Sequence, residues 1–202
     1  NRITPTEDGM HVNNSILWLD SKKTGELSFL SSISQFTQLA VPQILATEET
    51  IKLVNMRKCR KPQTLICQYN RPFSLGKLKM ELLPSGCILG GASLYIENSD
   101  QRILYAPQLQ IQKVNTVRPL QLKRAHTLIL GAFASTAQSH AAAANRKKER
   151  ERFIAAVKKY TDNDIYPLIL CHSTGLAQEM TRFLTDENIP VAAHRTIFKI
   201  NK

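Results

Sequence analysis

Residues 82–97 read LLPSGCILGGASLYIE, two apolar runs joined by small residues. A turn of this kind presents a side chain at a strand end, and the reactive side chain offered here is Cys87. A thiol acts as nucleophile or metal ligand when a neighbouring base or cation lowers its pKa. No histidine adjoins Cys87 in sequence, so it is read as a small buried hydrophobe. Cys59, Cys67, Cys87 and Cys171 contain no CxxC pair and no Cys/His cluster at zinc-finger spacing, which indicates neither a structural zinc nor a redox motif. His11, His126, His140, His172 and His194 are too dispersed for their spacing to suggest a metal site.

A second chemistry is phosphate binding. The chain carries 27 Lys and Arg against 16 Asp and Glu, a formal charge of +11, which favours an anionic partner without identifying one. The densest cluster is Arg146, Lys147, Lys148, Arg150 and Arg152, interrupted by Glu149 and Glu151 and continued by Lys158 and Lys159. On a helix many of these pair at i,i+3 or i,i+4, giving a solvated face, and the alternative is a stripe that follows phosphates. Arg57, Lys58, Arg60 and Lys61 are candidates to join it. HSTGLAQ places Ser173, Thr174 and Gly175 before a helix, where free N–H groups suit an anion and simple N-capping is the plainer use.

These residues need elements to position them. SILWLD and LSFLSS read as strands, and TEETIKLVNMRK as a helix capped by Thr47 with acids in its first turn. QTLICQY, LGKLKMELLP, ASLYIEN, QRILYAP and AHTLILGAF read as strands, with turn chemistry at Gly76, Pro84-Ser85-Gly86 and Asn98-Ser99-Asp100. Past residue 137 the pattern changes to a basic helix, a strand YPLILCH, a helix GLAQEMTRFLTDEN and a strand IPVAAH, the β-α-β order of a parallel sheet. Two domains are expected, residues 1–136 and 142–202, joined at about 136–142. At 202 residues with 43% hydrophobic content the chain buries a real core. No apolar run approaches the roughly 18–20 residues that span a bilayer, and the first twenty residues lack the pattern of a signal peptide. The expectations are no membrane and a reduced intracellular setting, cytoplasmic or, in a eukaryote, nuclear. The absent initiator Met suggests a processed or excerpted N-terminus.

The succession SILWLD, LSFLSSISQFTQ, LLPSGCILGGASLYIE, QRILYAPQLQ, HTLILGAF, YPLILCHSTGLAQEMTRFL and IPVAAH resembles the metallo-β-lactamase fold nucleases of the β-CASP group over nearly the whole chain. Within that group it is most similar to the exonuclease-like members associated with DNA ligases and to the mRNA 3′-end processing factors. The resemblance implies an αββα sandwich, partial here, followed by an α/β β-CASP-like segment that stops before the group's return strands. It also implies chemistry by two metal ions, usually zinc, that activate a water for phosphodiester cleavage. The group's His-x-His-x-Asp-His motif falls on Ser32, Ser34, Phe36 and Thr37, its next histidine on Cys87, its bridging aspartate on Gln108 and a later acidic position on Gly131. Asp20 alone keeps an acidic position, one that orients ligands from behind in the group, while its own setting at the end of SILWLD reads as a turn or cap residue. The turn around Pro84, Gly86, Gly90 and Gly91 is kept while its ligand is not. The expected protein therefore has no metal cofactor, though active relatives hold zinc. It is a catalytically inactive relative that binds nucleic acid or supports a protein partner, such as an active homologue or a DNA ligase. The alternative is a residual exonuclease or phosphodiesterase.

Overall fold

The computed structural model describes residues 3–36, 41–56, 62–131 and 146–202. The fold is mixed α/β, and the chain divides into two compact units, Asn1–Gly131 and Ala132–Lys202. The expected joint at 136–142 lies outside the described residues.

The first unit contains two sheets. One has the order β1 (Ile3–Thr6), β2 (Gly9–Val12), β3 (Leu17–Leu19), β4 (Leu27–Phe29), β5 (Gln43–Ala46), β6 (Gln63–Ile66). The β1–β2–β3 pairs are antiparallel and the β3–β4–β5–β6 pairs parallel. The other runs β11 (Thr127–Leu130), β10 (Arg102–Ala106), β9 (Ala92–Glu97), β8 (Leu78–Pro84), β7 (Phe73–Leu75), antiparallel except for the parallel pair β10–β11. Period-two alternation decides which faces meet. Leu17 and Leu19, Leu27 and Phe29, and Leu45 pack in one cluster with Leu78, Met80 and Leu82, Leu94 and Ile96, and Ile103 and Tyr105. Each fully buried large side chain there contributes roughly 1.5–3 kcal/mol.

On the far side of the first sheet lies α1 (Glu48–Met56), packed on β6 and on a 3-10 turn at Ile33–Gln35. It starts where the sequence places it, with the Thr50 amide donating to the Thr47 hydroxyl at 3.3 Å. The far side of the second sheet differs from the αββα expectation. Leu83, Tyr95, Leu104 and Ala106 are covered there by Leu109 and Ala125 of an irregular segment, so among the described residues of the first unit this layer holds no helix. A side-chain clasp replaces one, with Lys123 bound to Glu81 at 2.6 Å and lying 4.5 Å from the centre of the Tyr95 ring. The hairpin β1–β2 and strands β5 and β7 have no counterpart in the sequence reading. ITPT and GMHV are short and half polar, and QILA is a four-residue run too brief for a period to show.

The second unit contains α2 (Arg146–Thr161), α3 (Leu176–Asp186) and α4 (Arg195–Asn201), with α2 packed on α3 and α3 on α4. Ile154 and Val157 of α2 and Ala177, Phe183 and Leu184 of α3 are its buried apolar groups. Neither YPLILCH nor IPVAAH forms a strand. A buried strand needs neighbours that complete its ladder and cover both faces. None is present among the described residues, and Tyr166, Leu168 and Leu170 are 84%, 86% and 86% exposed. The expected β-α-β unit is therefore corrected to helices joined by irregular segments. No helix among the described residues is long and apolar enough to cross a membrane.

Candidate functional site

Parallel strands deliver their C-terminal ends to one side of a sheet, where loops collect functional groups. In the first sheet Asp20 follows β3, Ser31 to Ser34 follow β4 and Thr47 follows β5. In the second, Gln108 and Gly131 follow β10 and β11, whose last residues Ala106 and Leu130 are paired. The Ala92 amide donates to the Ser31 carbonyl at 2.8 Å and ties these ends of the two sheets together.

Three of the substituted ligand positions meet there. The Ser32 and Ser34 hydroxyls are 2.6 Å apart and lie 3.3 and 3.2 Å from the Gln108 carbonyl oxygen, across more than seventy residues of chain; with one proton each, one hydroxyl donates to the other, which donates to Gln108. The cluster is neutral. Hydroxyl and amide oxygens are weak zinc ligands, and among the described residues no histidine bonds either serine to make a nucleophile of it. Phe36 is buried, while Thr37 lies outside the described residues. Among the described residues no three His, Cys, Asp or Glu side chains gather.

Asp20 is held behind the cluster. Its backbone has φ 46°, a left-handed conformation that Asp and Asn tolerate better than most residues. One carboxylate oxygen accepts from the Ser31 amide at 2.8 Å and the other from the Tyr105 hydroxyl at 2.9 Å. Burial raises its pKa to about 6, with the hydrogen bonds from Ser31 and Tyr105 opposing the shift. Burial is also the first cause that raises the Tyr105 hydroxyl, followed by the Asp20 charge. Sequence reasoning misses Tyr105, since a tyrosine in an apolar strand carries no mark of its partner.

The turn after β8 is shaped by backbone. Gly90 has φ +76°, its carbonyl accepts from the Thr47 and Thr50 hydroxyls at 2.7 and 2.9 Å, and a Cβ there would come within 2.6 Å of the Thr50 nitrogen. Close approach, not phosphate binding, accounts for that glycine. Cys87 is half-buried rather than buried, and enclosure raises its thiol pKa while the Ser85 hydroxyl opposes. In the native protein at pH 7, maleimide labelling of Cys87, followed by peptide mapping, is expected to be several-fold slower than in the unfolded chain. Native labelling as fast as unfolded would show an activated thiol.

Three of the histidines are locally engaged. His11 Nε2 bonds the Ser15 carbonyl at 2.9 Å, His126 Nδ1 accepts from the Arg102 amide at 3.2 Å and His194 Nδ1 accepts from the Thr196 amide at 3.3 Å. His172 is exposed, and His140 lies outside the described residues, as do Cys59 and the cations Arg57, Lys58, Arg60 and Lys61.

On α2 the basic residues divide between two faces. Arg146 clasps the buried Glu179, and Arg150 lies 4.6 Å from the Phe183 ring centre and 3.4 Å from Asp186, so both are committed to α3. Lys158 pairs with Glu187 at 2.7 Å, and Lys147 is exposed. Helical spacing puts Lys148, Arg152 and Lys159 together on the side away from Ile154 and Val157, and all three are exposed. Arg152 bonds Glu149 at 3.0 Å, an exposed pair of little strength. Glu179, Asp186 and Glu187, which hold three of the seven basic residues, are far from them in sequence and give no signal there. At the start of α3 the Gln178 side chain, not Ser173 or Thr174, caps the Gly175 amide at 2.6 Å.

No protein-family model matches the chain, and no curated protein does. Among solved structures it is similar to a protein of unknown function from Enterococcus faecalis V583, at 16% identity over 44% of this chain and 26% of that one, with a TM-score of 0.34. It is also similar to the metallo-β-lactamase fold protein YhfI from Bacillus subtilis, at 12% identity over 48% of this chain and 52% of that one, with a TM-score of 0.35. The chain thus spans about a quarter and about half of the lengths of these two structures.

Proposed function

We propose that the chain is a non-catalytic relative of the metal-dependent β-CASP nucleases, with a metallo-β-lactamase-like first unit, and that it binds nucleic acid through its second unit. The observation that carries this is the Ser32–Ser34–Gln108 cluster. Side chains at positions assigned to ligands by resemblance come from the ends of two different sheets to one point, and there they bond one another as neutral groups. Such a set lacks the anionic and imidazole donors that hold two divalent ions and polarise a water between them. The excess of positive charge and the outward residues Lys148, Arg152 and Lys159 supply the anion-binding face. Binding by one helix face is sequence-independent and salt-sensitive.

The test is fluorescence anisotropy with a labelled single-stranded oligonucleotide across a salt series, beside a cleavage assay with added zinc or manganese. Binding without cleavage is expected. Replacing Lys148, Arg152 and Lys159 with glutamine is expected to weaken binding equally for all sequences. On a single strand it should flatten the log K against log salt slope by about 0.7 for each phosphate that is no longer neutralised. Metal-dependent cleavage would overturn the inactive assignment. An unchanged salt slope would leave the face merely solvated and favour a protein partner.

A further inference from the structure

Apart from the serine cluster, the first unit has a cleft of about 290 Å³, lined by Glu49 at the start of α1, Tyr69, Leu89 and the segment Asn115, Thr116 and Arg118. That is close to the lower bound, about 300 Å³, for sites that enclose small molecules. Among the described residues neither Glu49 nor Arg118 is in an ion pair, although other charged residues such as Lys52 and Glu48 are paired. Opposite charges therefore line one cavity with no ion pair between them, and the Glu49 charge also acts on Lys52. Tyr69 lines the same cleft, fixed by its hydroxyl, which donates to the Gly91 carbonyl at 2.9 Å. The Arg118 guanidinium lies 5.2 Å from the centre of the Tyr69 ring. A guanidinium held on an aromatic face keeps its in-plane N–H edges available for a carboxylate. Both charges act at this point: burial raises the Tyr69 hydroxyl pKa, Glu49 raises it further, and Thr47 and Arg118 oppose.

We propose that this cleft binds a small zwitterion of amino-acid or dipeptide size, its carboxylate on Arg118, its ammonium on Glu49 and its apolar part against Tyr69 and Leu89. A bare anion such as phosphate would meet Glu49, and a bare cation would meet Arg118. A ligand carrying both charges uses both walls. Asn115 and Thr116 add neutral polar groups at the rim.

Isothermal titration calorimetry of the intact chain with glycine, phenylalanine and glycyl-phenylalanine tests this, alongside their N-acetyl and carboxamide forms. The free zwitterions are expected to bind, and blocking either end to weaken binding at least about tenfold, equivalent to about 1.4 kcal/mol. In Arg118→Gln the free and carboxamide forms should bind alike. In Glu49→Gln the free and N-acetyl forms should bind alike. Unchanged thermal melting of both variants would show that the fold is intact. No heat from any zwitterion, or equal binding of blocked and free forms by the parent, would overturn the proposal.

Discussion

Asp20→Asn is expected to make the protein more stable above pH 6 by on the order of 2–3 kcal/mol, and to leave it nearly unchanged at pH 4. The native carboxyl titrates near 6, against an ordinary value of 3.8. Between those values the folded chain binds more protons at this group than the unfolded chain. Stability from Asp20 is therefore fully present below pH 3.8 and is lost as pH rises through 6. Asparagine removes the titration and keeps the geometry. Its carbonyl accepts from the Ser31 amide as the carboxylate does, its NH₂ donates to the Tyr105 oxygen, and it suits the left-handed backbone at φ 46°. Urea unfolding of parent and variant at unit steps from pH 4 to 8 gives the difference directly, with other carboxylates cancelling. A gap that is constant with pH, or one that widens toward pH 4, would show that Asp20 is not the group enclosed behind the cluster. Asp20→Ala is no substitute, because it also strands the Ser31 amide and the Tyr105 hydroxyl.

How far the sequence reveals this molecule depends on the range of each interaction. The elements of the first unit are legible where a period lasts, as in LKMELLP and ASLYIE, or where a cap is local, as at Thr47. The meeting of Ser32, Ser34 and Gln108 is legible only through resemblance, since nothing in a serine announces a partner 76 residues away. The second unit misleads more. YPLILCH is apolar enough for a buried strand, yet a strand is a property of its neighbours as much as of itself, and none pairs with it among the described residues. The Glu49–Tyr69–Arg118 cleft is invisible in the sequence for the same reason: three ordinary residues become a site only when α1, the segment after β6 and the loop after β10 converge.

Arg146→Gln is expected to destabilise the second unit by roughly 1–3 kcal/mol, although its sequence setting, RKKERER, reads as a solvated charge run. Arg146 bonds both oxygens of Glu179, which is 7% exposed in the first turns of α3. Removing the guanidinium leaves a buried carboxylate with glutamine's shorter, neutral amide in place of a forked cation. Lys147→Gln, one residue on and exposed, should change stability by no more than about 0.5 kcal/mol. The double variant Arg146→Gln with Glu179→Gln should recover much of the loss, because the stranded charge is gone. Thermal or urea unfolding followed by helical circular dichroism reads all three. If Arg146→Gln melts like Lys147→Gln, the clasp is not formed in solution. The outcome also governs how binding data are understood. Weaker oligonucleotide binding in Arg146→Gln with an unchanged salt slope would come from a loosened α2–α3 pair. A flatter slope would instead place Arg146 on the phosphates, against its partner in the structure.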